Sequence, residues 1–235
     1  MFFKKEKITP CMGYTKIMRD NVRLAALAGA VMFLATIAVL LARQLALVPS
    51  RPAPGFRTFG PPDAVVKIEE YSDYACGACR GAAGKLEEML KIYPGGIRLT
   101  LKHYPLVNIH PWSLDAAAYA DCAGEQGKFK AYTARLFESQ EKWGRTARKP
   151  GEFEAFAREL SLDWPAMQAC AASPQTRQRL KLEMAEGDLK GVSATPTFFI
   201  NGKRAVGPGQ LLEQLRKLDK LLENRNKPAG ECPEK

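Results

Sequence analysis

Cys76 and Cys79, separated only by Gly77 and Ala78, stand between a strand pattern and a helix pattern, and this junction constrains the chain more than any other feature. A c-type haem site needs histidine directly after the second cysteine, where this chain has Arg80. Zinc needs four ligands. No second C-x-x-C exists and His103 and His110 are the only histidines, so a Cys2His2 site built from these four residues is a weak alternative. A plain structural disulfide is the bland alternative, but cysteines this close make a tight, strained bridge, better suited to switching than to stapling. A dithiol/disulfide redox centre fits best.

Upstream, Val65 to Tyr71 alternates as a strand, and Glu70 falls on the same face as Val66 and Ile68. An acid on an apolar face is costly to bury unless it has a task; the bland alternative is a strand end where Glu70 reaches solvent. Downstream, Cys79, Ala82, Ala83, Leu86, Met89, Leu90 and Tyr93 recur at helical spacing, which predicts a helix to about Pro94 with Cys79 on its buried face. Cys76 stands at or just before the first turn. Unpaired N–H groups there stabilise a thiolate, making Cys76 the nucleophile and Cys79 the shielded resolving thiol. Glu70 is placed to accept the Cys79 proton.

A second strand runs from Ile97 to His103, with His103 on the apolar parity, where a satisfied core histidine is commoner than a catalyst. Near the C-terminus, Thr197 to Ile200 reads as a strand. Asn201-Gly202 forms a two-residue hairpin turn into Lys203–Val206, and Leu211, Leu215, Leu218 and Leu222 form a helical stripe. Pro196 enters the strand, so it takes either the first position or an unusual, often cis, conformation.

The formal charge of +10 raises the question of a nucleic-acid partner, but it is concentrated at the front. Residues 1–23 hold six basic and two acidic residues, residues 43–62 add Arg43, Arg51 and Arg57, and residues 63–235 carry only +3. No nucleic acid is expected. Between the basic flanks, Leu24 to Ala42 has 19 residues without a charge; as a helix such a run spans roughly 30 Å, the thickness of a bilayer core. A cleaved signal peptide usually has a shorter apolar region and a small-residue cleavage site. The expectation is therefore an uncleaved anchor, with residues 1–23 cytoplasmic and the remainder on the extracytoplasmic side. Five prolines between Val48 and Asp63 predict an extended spacer over residues 43–62.

Of the six cysteines, this topology exports all but Cys11. An exported domain can keep disulfides, with Cys122–Cys170 the natural structural candidate and Cys232 left over in a polar tail over residues 224–235.

Together, V-V-K-I-E-E-Y-S-D-Y-A-C-G-A-C and the downstream A-T-P-T-F-F-I-N-G resemble the DsbA-like disulfide oxidoreductases of bacterial envelopes. H-P-W-S-L-D-A-A-A-Y-A-D-C-A-G-E-Q-G-K-F between them is similar to the start of that family's helical insertion. The resemblance covers roughly residues 58–223. It implies an α/β thioredoxin fold over residues 63–106 and 192–223, interrupted by a helical insertion over 107–191. It further implies that Cys76 attacks, Cys79 resolves, Pro196 is the cis-proline facing them, the Thr195 backbone pairs with substrate and Glu70 is the buried acid; it favours a Cys122–Cys170 bridge. The implied activity is oxidation of cysteine pairs in exported proteins, without a cofactor, with reoxidation by a DsbB-like or vitamin K epoxide reductase-like membrane partner. One departure matters. The strongest oxidants of the family carry Pro-His between the cysteines, and Gly77-Ala78 offers no side-chain hydrogen bond, so reductase, isomerase and a non-catalytic chaperone of the same fold are the alternatives.

Overall fold

The computed structural model describes residues 12–46 and 52–226, so Cys11, Cys232 and most of the expected tails lie outside the described residues. The chain divides into two compact units, Met1–Pro49 and Ser50–Lys235. The first contains one helix, α1 (Met12–Ala46). Its described apolar side chains are bare: Leu27, Phe33 and Leu34 are each 65–66% exposed. Among the described residues no helix is long and apolar enough to cross a membrane.

The second unit is a five-stranded sheet interrupted by helices. Its elements are β1 (Thr58–Phe59), β2 (Val66–Ser72), α2 (Gly77–Ile92), β3 (Ile97–His103), α3 (Ser113–Glu125), α4 (Phe129–Glu138), α5 (Gln140–Trp143), α6 (Glu152–Glu159), α7 (Trp164–Ala172), α8 (Pro174–Leu189), β4 (Thr197–Ile200), β5 (Lys203–Val206) and α9 (Gly207–Asn226). Strand order is β1-β3-β2-β4-β5. The β2–β3 pair is parallel, with Val66 opposite Ile97 and Ser72 opposite His103; β4 and β5 follow antiparallel. The strand before the cysteine pair, β2, therefore begins at Val66 rather than Val65, where pairing with β3 starts.

One sheet face carries Val66, Ile68, Leu99, Phe198 and Ile200, which pack against Ala82 and Leu86 of α2 and Leu211, Leu215 and Leu222 of α9. Period-two strands and helical stripes meet here to form a sandwich between the sheet and two helices. Asn201 and Gly202 both adopt positive φ (47° and 81°), as a tight hairpin turn of this type demands. Gly60 has φ +87°, and a Cβ there would sit 2.0 Å from the Ile97 carbonyl oxygen, so only glycine fits. The inserted helices α3 to α8 bury their own core around Tyr119, Tyr132, Leu136, Trp143, Phe153 and Met167.

The expected spacer over 43–62 is corrected in its second half. Residues 55–57 form a single 3-10 turn, β1 pairs antiparallel with β3, and Arg57 is fully buried. The physical reason is a buried cluster of charges. Arg57 places Nε 2.9 Å from Asp121 Oδ1 of α3, and its Nη1 donates to Glu183 Oε2 of α8 at 2.7 Å. His103 Nε2 meets Asp121 at 2.9 Å, the His103 N–H donates to Glu183 at 2.9 Å, and Arg179 Nε reaches Asp121 at 2.9 Å. Burial pushes the Asp121 carboxyl upward, but His103, Arg57 and Arg179 together hold it below its ordinary value. This cluster ties the insertion to the sheet.

Removing one member of a buried ion cluster leaves its partners charged and unpaired, a cost of about 3–5 kcal/mol. Arg57→Ala should lower the urea-unfolding free energy by that amount; a loss under about 1 kcal/mol would show that the cluster is not holding the fold together.

Candidate active site

The β2–α2 junction sets the geometry of the cysteine pair. Cys76 is the N-cap of α2, in extended backbone at φ −82° and ψ 120°, and its carbonyl accepts the Arg80 N–H at 3.2 Å. The residues between the cysteines fill the first helical turn, which carries Cys79 round to the buried face. Cys79 is 0% exposed, whereas Cys76 is only partly covered. The two ends of the pair thus have different access to a partner molecule.

The β4 entry faces Cys76. The Thr195–Pro196 peptide bond is cis, and the Cys76 thiol donates to the Thr195 carbonyl oxygen at 3.3 Å. Thr195 Oγ1 is buried without a hydrogen-bond partner among the described residues. Cys79 Sγ accepts the Asp73 N–H at 3.5 Å.

Electrostatics sharpen the asymmetry. The Cys79 thiol, by donating to Cys76, lowers the Cys76 titration to about 5; Thr195 and the N–H groups of Cys79 and Ala78 add to this, against a burial penalty. Burial and the neighbouring thiolate push Cys79 well above the ordinary thiol value. At neutral pH the reduced pair therefore holds one thiolate at the accessible sulfur and one thiol at the hidden one.

Glu70 is 1% exposed, so it does not reach solvent at a strand end. Burial raises its carboxyl to about 7, the Cys76 charge adds to the shift, and neighbouring Ser72 opposes it. The Glu70 charge in turn adds to the upward shift of Cys79. Glu70 and Ser72 are both buried, and both line an apolar cavity of about 520 Å³ between β2, α2 and α4.

Cys76, Cys79, Thr195 and Pro196 thus come together, with Glu70 electrostatically linked to the pair. Cys122 of α3 and Cys170 of α7 are joined by a disulfide with Cα atoms 5.9 Å apart, within the insertion. His103 and His110 are both engaged with carboxylates, on Asp121 and Asp73 respectively. Among the described residues no cluster of three or more His, Cys, Asp or Glu side chains has the arrangement of a metal site.

Two contributors have no signature at the motif. Gln140, at the start of α5, donates through Nε2 to the carbonyl oxygens of Tyr74 and Cys76, at 2.6 and 2.9 Å. It clamps the reactive loop from the insertion, 64 residues away from Cys76. Asp73 accepts the Ala75 N–H at 2.8 Å, shaping the turn that delivers Cys76 to the helix start. Serviceable signals exist in the sequence, an aspartate three residues before a C-x-x-C and a histidine beyond β3, but no pattern connects them.

A family model described as "Thioredoxin" matches residues 53–220. Among solved structures, Wolbachia pipientis alpha-DsbA1 has a TM-score of 0.65 at 20% identity, covering 75% of this chain and 95% of that one. A thioredoxin-like oxidoreductase from Silicibacter pomeroyi DSS-3 has a TM-score of 0.57 at 25% identity, covering 69% and 91%. The fold is therefore the one seen in alpha-DsbA1. A curated relative, Na(+)/H(+) antiporter NhaA 3 of Salinispora tropica, is 34% identical over 149 residues, 63% of this chain and 22% of that protein. The chain spans about a fifth of the length of that antiporter, and the transport in its name is said of that protein alone.

Two measurements check the electrostatics. A thiol lowered from 9 to about 5 stabilises the reduced folded protein fully above pH 9, and this stability is lost as pH falls through 5. Alkylation of Cys76 by iodoacetamide, corrected for reagent, should hold constant from pH 8 to 6 and fall about tenfold per unit below 5; a midpoint near 9 would refute the thiolate assignment. Glu70 has the opposite sign: its raised carboxyl costs nothing below 4.5, and the penalty grows until about pH 7. Glu70→Gln should therefore stabilise the fold by about 1–3 kcal/mol at pH 8 and much less at pH 5 by urea unfolding, and an equal effect at both would refute the burial penalty.

Proposed function

This chain belongs to the thioredoxin family, whose model spans residues 53–220, and from that premise we propose that it is a DsbA-type thiol–disulfide oxidoreductase that oxidises cysteine pairs of exported proteins. The observation that carries this reading is the asymmetric pair: an accessible Cys76 at a helix start, facing the cis Thr195–Pro196 bond, over a buried Cys79. In the oxidised enzyme a substrate thiolate attacks Cys76 Sγ. The Cys76–Cys79 bond breaks, and Cys79 leaves with the electron pair and takes a proton from Glu70. The second substrate thiolate then attacks the substrate sulfur of the mixed disulfide. Cys76 departs as a thiolate, the substrate keeps the new disulfide, and two electrons rest on the Cys76–Cys79 pair. The proton that stays off Cys76 goes to solvent. Glu70 must regain a proton, ultimately from solvent, before the next cycle.

Thiolate stabilisation favours the reduced form of the pair, and this supports the oxidising direction. The stabilisation comes from Cys79, Thr195 and backbone N–H groups, in place of the side chain that Gly77-Ala78 lacks. That absent side chain favours a second reading, reductase or isomerase. Reoxidation is assigned to a membrane partner of the DsbB or vitamin K epoxide reductase type, since the two electrons left on the pair must pass to an acceptor before the next cycle. Membrane attachment rests on the sequence: Leu24 to Ala42 is uncharged between basic flanks, and the described apolar side chains of α1 are exposed. The catalytic unit then lies on the extracytoplasmic side of a single span.

Full-length Cys79→Ala, expressed in a bacterial host and acid-quenched, should accumulate mixed disulfides with exported proteins in the carbonate-washed membrane fraction; Cys76→Ala should accumulate none. Equal trapping by both variants would overturn the exchange mechanism, and adducts found only in the soluble fraction would overturn the anchor. A Cys76–Cys79 potential near −270 mV or lower would select the reductase, and one near −120 mV the oxidase.

A further inference from the structure

Asp73 touches both cysteines through its backbone and a distant loop through its side chain. Its N–H donates to Cys79 Sγ at 3.5 Å and its carbonyl accepts the Cys76 N–H at 3.1 Å. Oδ1 accepts the Ala75 N–H at 2.8 Å, and Oδ2 accepts the Leu106 N–H and His110 Nδ1, each at 2.8 Å. Asp73 is 1% exposed and His110 is 8% exposed. A carboxylate only accepts, so Nδ1 carries the hydrogen and His110 is the donor.

The Asp73 carboxylate is carried on the residue whose backbone bonds both cysteines, and a buried carboxylate in that position opposes the negative charge that exchange must place on Cys76. That opposition shrinks as the carboxylate's charge is drawn into hydrogen bonds. Two of its three donors are backbone N–H groups that any residue supplies. The third is an imidazole from the loop after β3, and it is the only side chain among the described residues that hydrogen-bonds Asp73.

We infer that His110 is a positioning residue for disulfide exchange: through Asp73 it disperses the charge beneath the cysteine pair and keeps the Asp73 N–H directed at Cys79. It acts behind the pair, where Gly77-Ala78 contributes no side-chain donor beside it. Gln140 is a separate device, since it holds carbonyl groups and leaves the Asp73 charge untouched. The inference rests on the proposed exchange at Cys76–Cys79.

The test is the glutathione equilibrium of the full chain, read on the Cys76–Cys79 peptide by mass spectrometry, together with the 240 nm absorbance titration of the Cys76 thiolate. Asn at this position places an amide N–H where Nδ1 stands; Ala places nothing. For His110→Ala the equilibrium should shift about tenfold toward the disulfide form and the thiolate titration should move to higher pH, as expected for losing one hydrogen bond to a charged group. For His110→Asn both should stay within about threefold of the parent. Thermal melts of the oxidised proteins separate these effects from loss of structure. If His110→Ala does not fold, His110→Gln, whose amide reaches past Asp73, is expected to show the same tenfold shift. Parent-like behaviour of the Ala or Gln variant, or an equal shift for Ala and Asn, overturns the inference. If the parent pair itself fails to exchange with glutathione, the functional proposal falls; if the parent exchanges and the variants match it, this inference falls alone.

Discussion

The Asp121 carboxylate, buried in α3 and contacted by Arg57, His103 and Arg179, joins three other parts of the chain at one point. Arg57 arrives from the segment before the sheet, His103 from the end of β3, and Arg179 from α8. A desolvated charge that must be paired is a demanding constraint, because misplacing any partner leaves it exposed to the full cost of burial. The insertion is therefore seated on the sheet in one position. That position matters at the cysteines, since Gln140 reaches the reactive loop only from a correctly seated insertion.

The site itself divides its labour by burial. The accessible sulfur is made easy to ionise and the hidden one hard, with only two residues between them. A strand delivering Glu70, a helix start at Cys76 and the β4 entry at Thr195 each supply one component. Burial holds the Glu70 carboxyl at about 7, where gaining and losing a proton are nearly balanced at neutral pH; under the proposed function this suits a group that protonates a leaving thiolate.

Much of this is legible in the order of the amino acids. Strand boundaries at Ile97–His103, Thr197–Ile200 and Lys203–Val206 follow from alternation and the Asn201-Gly202 turn, and both cysteine environments follow from the helical spacing after Cys79. What escapes such a reading is anything that depends on residues far apart in the chain. Arg57 reads as a flanking charge in a proline-rich spacer, because nothing local reveals Asp121 and Glu183 waiting 64 and 126 residues away. His110 and Asp73 are visible singly, yet a hydrogen bond across 37 residues leaves no periodicity behind. Local patterns report which face a residue takes; they are silent on what stands opposite.

The bridge between Cys122 and Cys170 closes a stretch of 48 residues within the insertion. A chain that contains it has itself surrendered two electrons to an acceptor. Under the proposed function, each copy is therefore a product of the same kind of chemistry that its own reactive pair performs.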